Sequence, residues 1–219
     1  MIINKFNFPI YGIMILISII VGILYVVYNI KDKLTKEHLF YFSILFLAFC
    51  FFGSLSLTRI IIHENGLSSY AGFISVILCA IIFEKILPNN NIYLKYSIIS
   101  LPLIYAIGKI GCFLAGCCYG IEYNGIFSVT YTNGLNIPLF PIQIVETIVF
   151  MIIFIILNKL KNSNFIIELT LLTCSLSKFL LDFLRYDHMT KLITKNQIIS
   201  IIIFIISILL IIRKQNLKK

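Results

Sequence analysis

The sequence predicts an all-α, polytopic membrane bundle of about seven transmembrane helices, and three observations predict it. Of 219 residues, 60% are hydrophobic and 12% charged, with a mean hydropathy of +1.01; so few charges cannot cover the surface of a soluble globule. Apolar runs long enough to span, on the order of 20 residues each, recur at 8–29, 38–62, 67–87, 92–108, 141–158, 165–184 and 197–212. Basic residues gather in alternate connections: Lys31, Lys33 and Lys36, then Lys85 and Lys95, then Lys159 and Lys161, then Arg213, Lys214, Lys218 and Lys219. The positive-inside rule makes those ends cytoplasmic, so the N-terminus is expected outside and the C-terminus inside.

The first run is too long for a signal peptide and lacks a basic leader and a small-residue cleavage site, so it is expected to be a retained helix. Tyr11 lies near its outer end, and Arg59, His63 and Glu64 lie at the outer end of the second. Glu64 to Gly72, ENGLSSYAG, enters the third helix from outside. The fourth runs into GKIGCFLAGCCYG, Gly108 to Gly120, a lysine, three cysteines and four glycines closing an apolar segment. Hydrocarbon penalises unpaired polar groups, so such a break persists only where protein buries it or where it lines a cavity.

The fifth helix opens with PIQIVE, Pro141 to Glu146. Proline suits a first helical turn, and Gln143 and Glu146, three apart, share one face. A carboxylate at that depth is expected to face the bundle interior. The sixth helix ends in SKFLLDFLRYDH, with Lys178 and Asp182 four apart and Arg185 a turn further. Lys178 and Asp182 also fit an intrahelical ion pair, and Arg185, Asp187, His188 and Lys191 are read as including snorkelling or solvated loop charges. Five segments thus deliver Tyr11, Tyr70, Lys109, Gln143, Glu146, Lys178, Asp182 and Arg185 to one level near the outer face. No repeat, soluble domain or long linker interrupts the chain, so residues 1–219 read as a single integral membrane domain.

The formal charge of +9 calls for no nucleic acid, because a basic inner face against anionic lipid accounts for it. The six cysteines make no secreted disulfide framework. Cys50, Cys79 and Cys174 lie in apolar runs, where cysteine is a small hydrophobe. For Cys112, Cys117 and Cys118 three readings stand open. As small residues among Gly108, Gly111, Ala115, Gly116 and Gly120 they let backbones approach closely. As thiols near Lys109 they offer a nucleophile or redox group. As metal ligands their Cx4CC spacing departs from the usual zinc patterns, and no histidine lies close in sequence; no metal and no cofactor are expected.

These blocks resemble, in order, the bacterial prolipoprotein diacylglyceryl transferases. Gly108, Gly111, Phe113 and Gly120 fit the family's G-R-x-G-N-F-x-N-x-E-x-x-G without a gap. Pro9 to Met14 resembles its first-helix tyrosine-glycine block, and Asn65 to Ile74 its GG-x-S-x-H-G-G segment. Pro141 to Glu146 resembles its HP-x-Q-x-x-E, and Lys178 to Asp187 its R-x-x-x-E-F-x-R-x-x-D. The departures fall on polar positions: Lys109 replaces the signature arginine, Cys112 and Ala115 its asparagines, Cys117 its glutamate, Tyr70 and Phe140 two histidines, and Lys178 with Asp182 an arginine-glutamate pair. Lysine keeps the charge but loses the bidentate fork that suits phosphate.

The resemblance implies a seven-helix bundle in the bacterial plasma membrane that moves a diacylglyceryl group from phosphatidylglycerol to the lipobox cysteine thiol of an exported lipoprotein precursor, releasing glycerol phosphate. It implies Glu146, Asp182 and Tyr70 as catalytic groups. It implies Lys109, Arg185, Lys178, Gln143, Tyr11, Gly108 and Gly111 as substrate-binding, with thiol chemistry open at Cys112, Cys117 and Cys118. Two other functions fit the same fold: a paralogue with a different acceptor or cysteine-centred chemistry, and a non-catalytic phospholipid-binding protein.

Overall fold

The computed structural model describes residues 2–3, 9–62, 68–87, 91–131, 135–189 and 191–217; His63, Glu64 and the start of the ENGLSSYAG segment lie outside them. Among the described residues, each apolar run forms a helix. Helix α1 spans Ile10–Ile30. Helix α2, Lys36–Ala48, continues without a break through a π turn at Phe49–Gly53, a short α3 at Ser54–Leu57 and a second π turn at Thr58–Ile62. Then come α4 (Ser69–Ile86), α5 (Ile92–Ala115), α6 (Ile142–Lys159), α7 (Ile166–Asp182) and α8 (Lys195–Asn216). Six of these rods are long and apolar enough to cross a membrane. The remaining one, α7, has 17 residues and carries Glu168, Lys178 and Asp182, all buried.

Helix α5 is the axis of the bundle. It packs against α1, α4, α6 and α7, and 67% of its apolar window is buried against 17–39% for the other five spans. Those outer helices expose bulky apolar side chains such as Leu24, Phe40, Phe52 and Leu209, the pattern of helices that face lipid. Small residues let α1 lie close on α5. A Cβ at Gly111 would stand 2.6 Å from Met14 Cβ, and one at Gly108 would stand 3.3 Å from Ile15 Cδ1. At Gly111 the empty side-chain position is filled by α1, which is why this position is glycine.

The sequence reading ends the fourth span at Gly108, whereas helix continues to Ala115. The glycines do not stop it because α1 covers them. What stops it is Gly116, at φ +64°, with backbone bonds from Gly116 N–H to Phe113 O (3.3 Å) and from Cys117 N–H to Cys112 O (3.1 Å), a Schellman cap. The chain beyond is pinned rather than loose. Gly120 N–H bonds to Phe140 O and Ile121 N–H to Leu184 O, each at 3.0 Å. A two-residue parallel ladder, Ile2–Ile3 (β1) with Thr130–Tyr131 (β2), and a small cluster of Val129, Tyr131 and Leu139 complete a cap over this end of the bundle.

The opposite end gathers the basic connections. Lys161 Nζ donates to Asn29 Oδ1 at 3.0 Å, and Lys214 Nζ pairs with Glu168 Oε1 at 2.7 Å. The two ends therefore differ in kind, one basic and the other holding the buried polar groups.

Candidate active site

The polar groups of the capped end come from the first turns of α4, α6 and α8 and the last turns of α5 and α7. Lys109, on the last two turns of α5, meets Glu146, one turn into α6, with Nζ to Oε2 at 2.6 Å and side chains 7% and 3% exposed. Tyr105, one turn before Lys109, donates its hydroxyl to the other oxygen, Oε1, at 2.7 Å. Both oxygens of a buried carboxylate are thereby engaged by a cation or a donor, which is what keeps an ionised group inside a bundle.

Lys178 does not form the intrahelical pair that its spacing from Asp182 allows. Its ammonium donates to Ser69 Oγ on α4 at 2.7 Å and sits 4.2 Å from the ring centre of Tyr70 and 4.3 Å from that of Tyr105, a cation held between aromatic faces. Asp182 turns instead to the segment that follows it. Its Oδ1 lies 3.7 Å from Arg185 Nη1, and its Oδ2 lies 3.8 Å from His188 Nε2 and accepts a short hydrogen bond from the Thr194 hydroxyl. Thr194 is also the N-cap of α8, in a capping box with Gln197, so Asp182 ties α7 to α8 at the site. Tyr70 makes a short hydroxyl contact with Ser200 of α8.

Arg185 and His188, read from sequence among snorkelling or solvated charges, are drawn inward, with side chains 12% and 11% exposed. The cause is the backbone bridge between Gly120 and Arg185, reinforced by Tyr186 N–H to Tyr119 O at 3.2 Å. His188 stacks on Phe183 with ring centres 5.0 Å apart, and its buried Nε2 has no hydrogen-bond partner among the described residues. Asp187 and Lys191 are exposed, as read.

Gln143 is fully buried. Its Nε2 donates to Cys117 O at 2.8 Å and to Tyr131 Oη at 3.4 Å, while Oε1 is a buried acceptor without a hydrogen-bond partner among the described residues. Burial pushes the Tyr131 phenol up to about 12, so it remains neutral. Tyr11, Gly108, Lys109 and Tyr105 share a largely apolar cavity of ≈ 100 Å³ walled also by the α2–α3 rod and α4. A second cavity of ≈ 190 Å³ lies between α4, α7 and α8, with Lys178 and Tyr70 at its edge. Phe73 and Leu101 line both.

The turn after α5 folds the three cysteines together: the sulfurs of Cys112, Cys117 and Cys118 all lie within 4.8 Å of one another. The neighbouring thiols of Cys112 and Cys117, together with the charges of Lys109 and Arg185, hold the Cys118 thiol well below its ordinary value.

The sequence singled out Glu146, Lys109, Lys178, Asp182, Arg185, Tyr70 and Gln143, and the structure gathers them at one end. Sequence reasoning missed Tyr105, Ser69, Thr194, Ser200 and the burial of His188. Tyr105 was legible in principle, four residues before Lys109 and so on the same helix face. The serines and Thr194 carry no signal without their tertiary partners.

Helices apolar enough to cross a membrane, with lysines, an arginine and two carboxylates buried together at one capped end, define a multi-pass membrane protein built around an ionic site. A profile for prolipoprotein diacylglyceryl transferase matches residues 1–213, and the chain belongs to that family. It is 35% identical over 120 residues to phosphatidylglycerol–prolipoprotein diacylglyceryl transferase 2 of Clostridium perfringens, covering 50% of this chain and 47% of the relative. It is 34% identical over 119 residues to the corresponding transferase of Clostridium tetani, covering 50% and 48%. A third, from Dehalococcoides mccartyi, is 34% identical over 98 residues, 44% of this chain and 37% of the relative. The chain spans about half the length of the curated relatives it matches.

Proposed function

We propose that this protein transfers the diacylglyceryl group of phosphatidylglycerol to the lipobox cysteine thiol of an exported lipoprotein precursor, from a seven-span bundle in the bacterial plasma membrane with its N-terminus outside. The observation that carries the proposal is the convergence of Lys109, Lys178 and Arg185 with Glu146 and Asp182 beside apolar cavities. Family membership supports the reaction type. The basic connections at the end remote from the site support the orientation.

In the transfer, the acceptor thiolate forms a C–S bond to the glycerol carbon that carries the phosphate. The C–O bond to phosphate breaks, and the electron pair leaves with glycerol phosphate. Negative charge develops on the departing phosphate, where Lys109, Lys178 and Arg185 act as fixed cations in a low-dielectric site. Gln143 Oε1 accepts from a hydroxyl of the lipid head group, and Tyr11 lies along the apolar cavity that takes an acyl chain.

The thiol proton needs a base. Both oxygens of Glu146 are already held by Lys109 and Tyr105, which suits an orienting role. His188 turns its buried Nε2 toward Asp182 Oδ2 at 3.8 Å, so Asp182 orients the ring and Nδ1 is the ring nitrogen left to take the proton. We assign His188 as the base and Asp182 as the group that orients it. Tyr70, hydrogen-bonded to Ser200 and facing Lys178, lines the site.

The test is complementation. Cells depleted of their own diacylglyceryl transferase express this chain, and a reporter lipoprotein is examined by mass spectrometry. Diacylglyceryl-cysteine on the reporter, lost in His188→Ala and Arg185→Ala, is expected. An unmodified reporter alongside inserted, abundant protein overturns the proposal.

A further inference from the structure

The sequence spacing of Cys112, Cys117 and Cys118 points away from a metal, but the fold replaces spacing with proximity. The Schellman cap at Gly116 and the left-handed backbone of Cys118, at φ +56°, curl the chain back over the last turn of α5. The three sulfurs are thereby brought within 4.8 Å of one another. Three sulfurs bound to one ion at about 2.3 Å stand closer together than that limit, so small side-chain rotations close the site. We propose that Cys112, Cys117 and Cys118 form a three-coordinate site for a soft monovalent cation, Cu(I).

Three features select this ion. The donors are all thiol sulfur, the ligand class that favours Cu(I), zinc and iron–sulfur clusters over hard cations. No histidine, aspartate, glutamate or fourth cysteine joins the group among the described residues, whereas structural zinc sites are almost always four-coordinate. The surroundings suit an anionic centre, since a Cu(I) ion on three thiolates carries a formal charge of −2. Lys109 stands one turn before Cys112 on α5, and Arg185 is bridged to Gly120, two residues beyond Cys118. Cys118 is exposed while Cys112 is buried, so an ion reaches the site from one side and is closed off on the other. Binding forms three Cu–S bonds and releases the thiol protons to solvent, and no electron changes hands. The three ligands are none of the groups assigned to the transfer reaction, so metal binding is read without that reaction.

The experiment takes the full chain in detergent, reduced and freed of metal, and titrates it with Cu(I) against a chromogenic Cu(I) chelator. X-ray absorption then reads the coordination of the bound ion. One Cu(I) per chain with three sulfur ligands is expected, falling to two ligands in each single Cys→Ser variant. In the triple serine variant retention should drop by at least about 100-fold, because loss of outer-shell partners alone costs 10–100-fold at metal sites. Thermal unfolding of the apo proteins checks that the variants remain folded. Three outcomes overturn the proposal: binding unchanged in the triple variant, which would place the ion on Cys50, Cys79 or Cys174; retention of zinc in preference to copper; or a disulfide among the three in peptide maps of protein isolated without reductant.

Discussion

Lys109 and Glu146 form an ion pair at 2.6 Å with both side chains nearly sealed from solvent, and Tyr105 completes the carboxylate at 2.7 Å. Breaking such a pair leaves an uncompensated buried charge, which costs about 3–5 kcal/mol, whereas replacing both partners with apolar groups of similar volume is often close to neutral. Lys109→Met and Glu146→Leu are therefore each expected to lower thermal stability markedly, and the double variant is expected to recover most of it. Both single variants and the double variant should lose lipid transfer. Additive destabilisation in a double-mutant cycle would show that the pair is not coupled.

Lys178 lies between the faces of Tyr70 and Tyr105 with Ser69 as its acceptor. Lys178→Met keeps the packing and removes the charge. Removing one group aimed at developing charge typically costs about 100- to 1,000-fold in rate, so transfer by Lys178→Met should fall by that order, measured in membranes with labelled phosphatidylglycerol. Full turnover would remove Lys178 from the phosphate site.

Gly116 and Gly120 have separate reasons to be glycine. Alanine at Gly116 must adopt φ +64° and would set its Cβ 2.8 Å from Tyr131 Cδ1; the left-handed backbone alone costs about 1–2 kcal/mol. At Gly120 a Cβ would meet the carbonyl oxygens of Phe140 at 2.6 Å and Leu184 at 2.8 Å, which cannot move without breaking the bonds that pin the cap. Overpacking of this kind costs about 1–3 kcal/mol. Both variants are expected to melt earlier, and Gly120→Ala should also make Arg185 and its neighbours easier to cleave with protease. Unchanged melting in both would contradict the described turn.

Thr194 caps α8 and donates to Asp182. Thr194→Val removes both bonds at nearly constant volume. Loss of an N-cap costs about 0.5–2 kcal/mol, and Asp182 also loses a partner that fixes it opposite His188. The expected result is a modest fall in melting temperature with a larger fall in transfer, partly restored by Thr194→Ser. Equal transfer by the valine and serine variants would separate Thr194 from the site.

The sequence by itself determined the helices, their order and the end of the bundle at which the polar groups meet. Those follow from hydropathy run length and helical spacing, which are local: a buried Glu146 needs an interior to face, and Gln143 shares its face whatever the neighbours. Only the tertiary structure decided who pairs with whom. Lys178 had an acceptable partner four residues away in Asp182, yet α4 offered Ser69 and the face of Tyr70, α5 offered the face of Tyr105, and Thr194 at the start of α8 claimed Asp182. His188 read as a loop residue because its burial depends on the Gly120–Arg185 bridge, a contact between segments far apart in sequence. The cysteines read as small residues or as badly spaced ligands because spacing along the chain says nothing about a turn closed by two left-handed residues, Gly116 and Cys118.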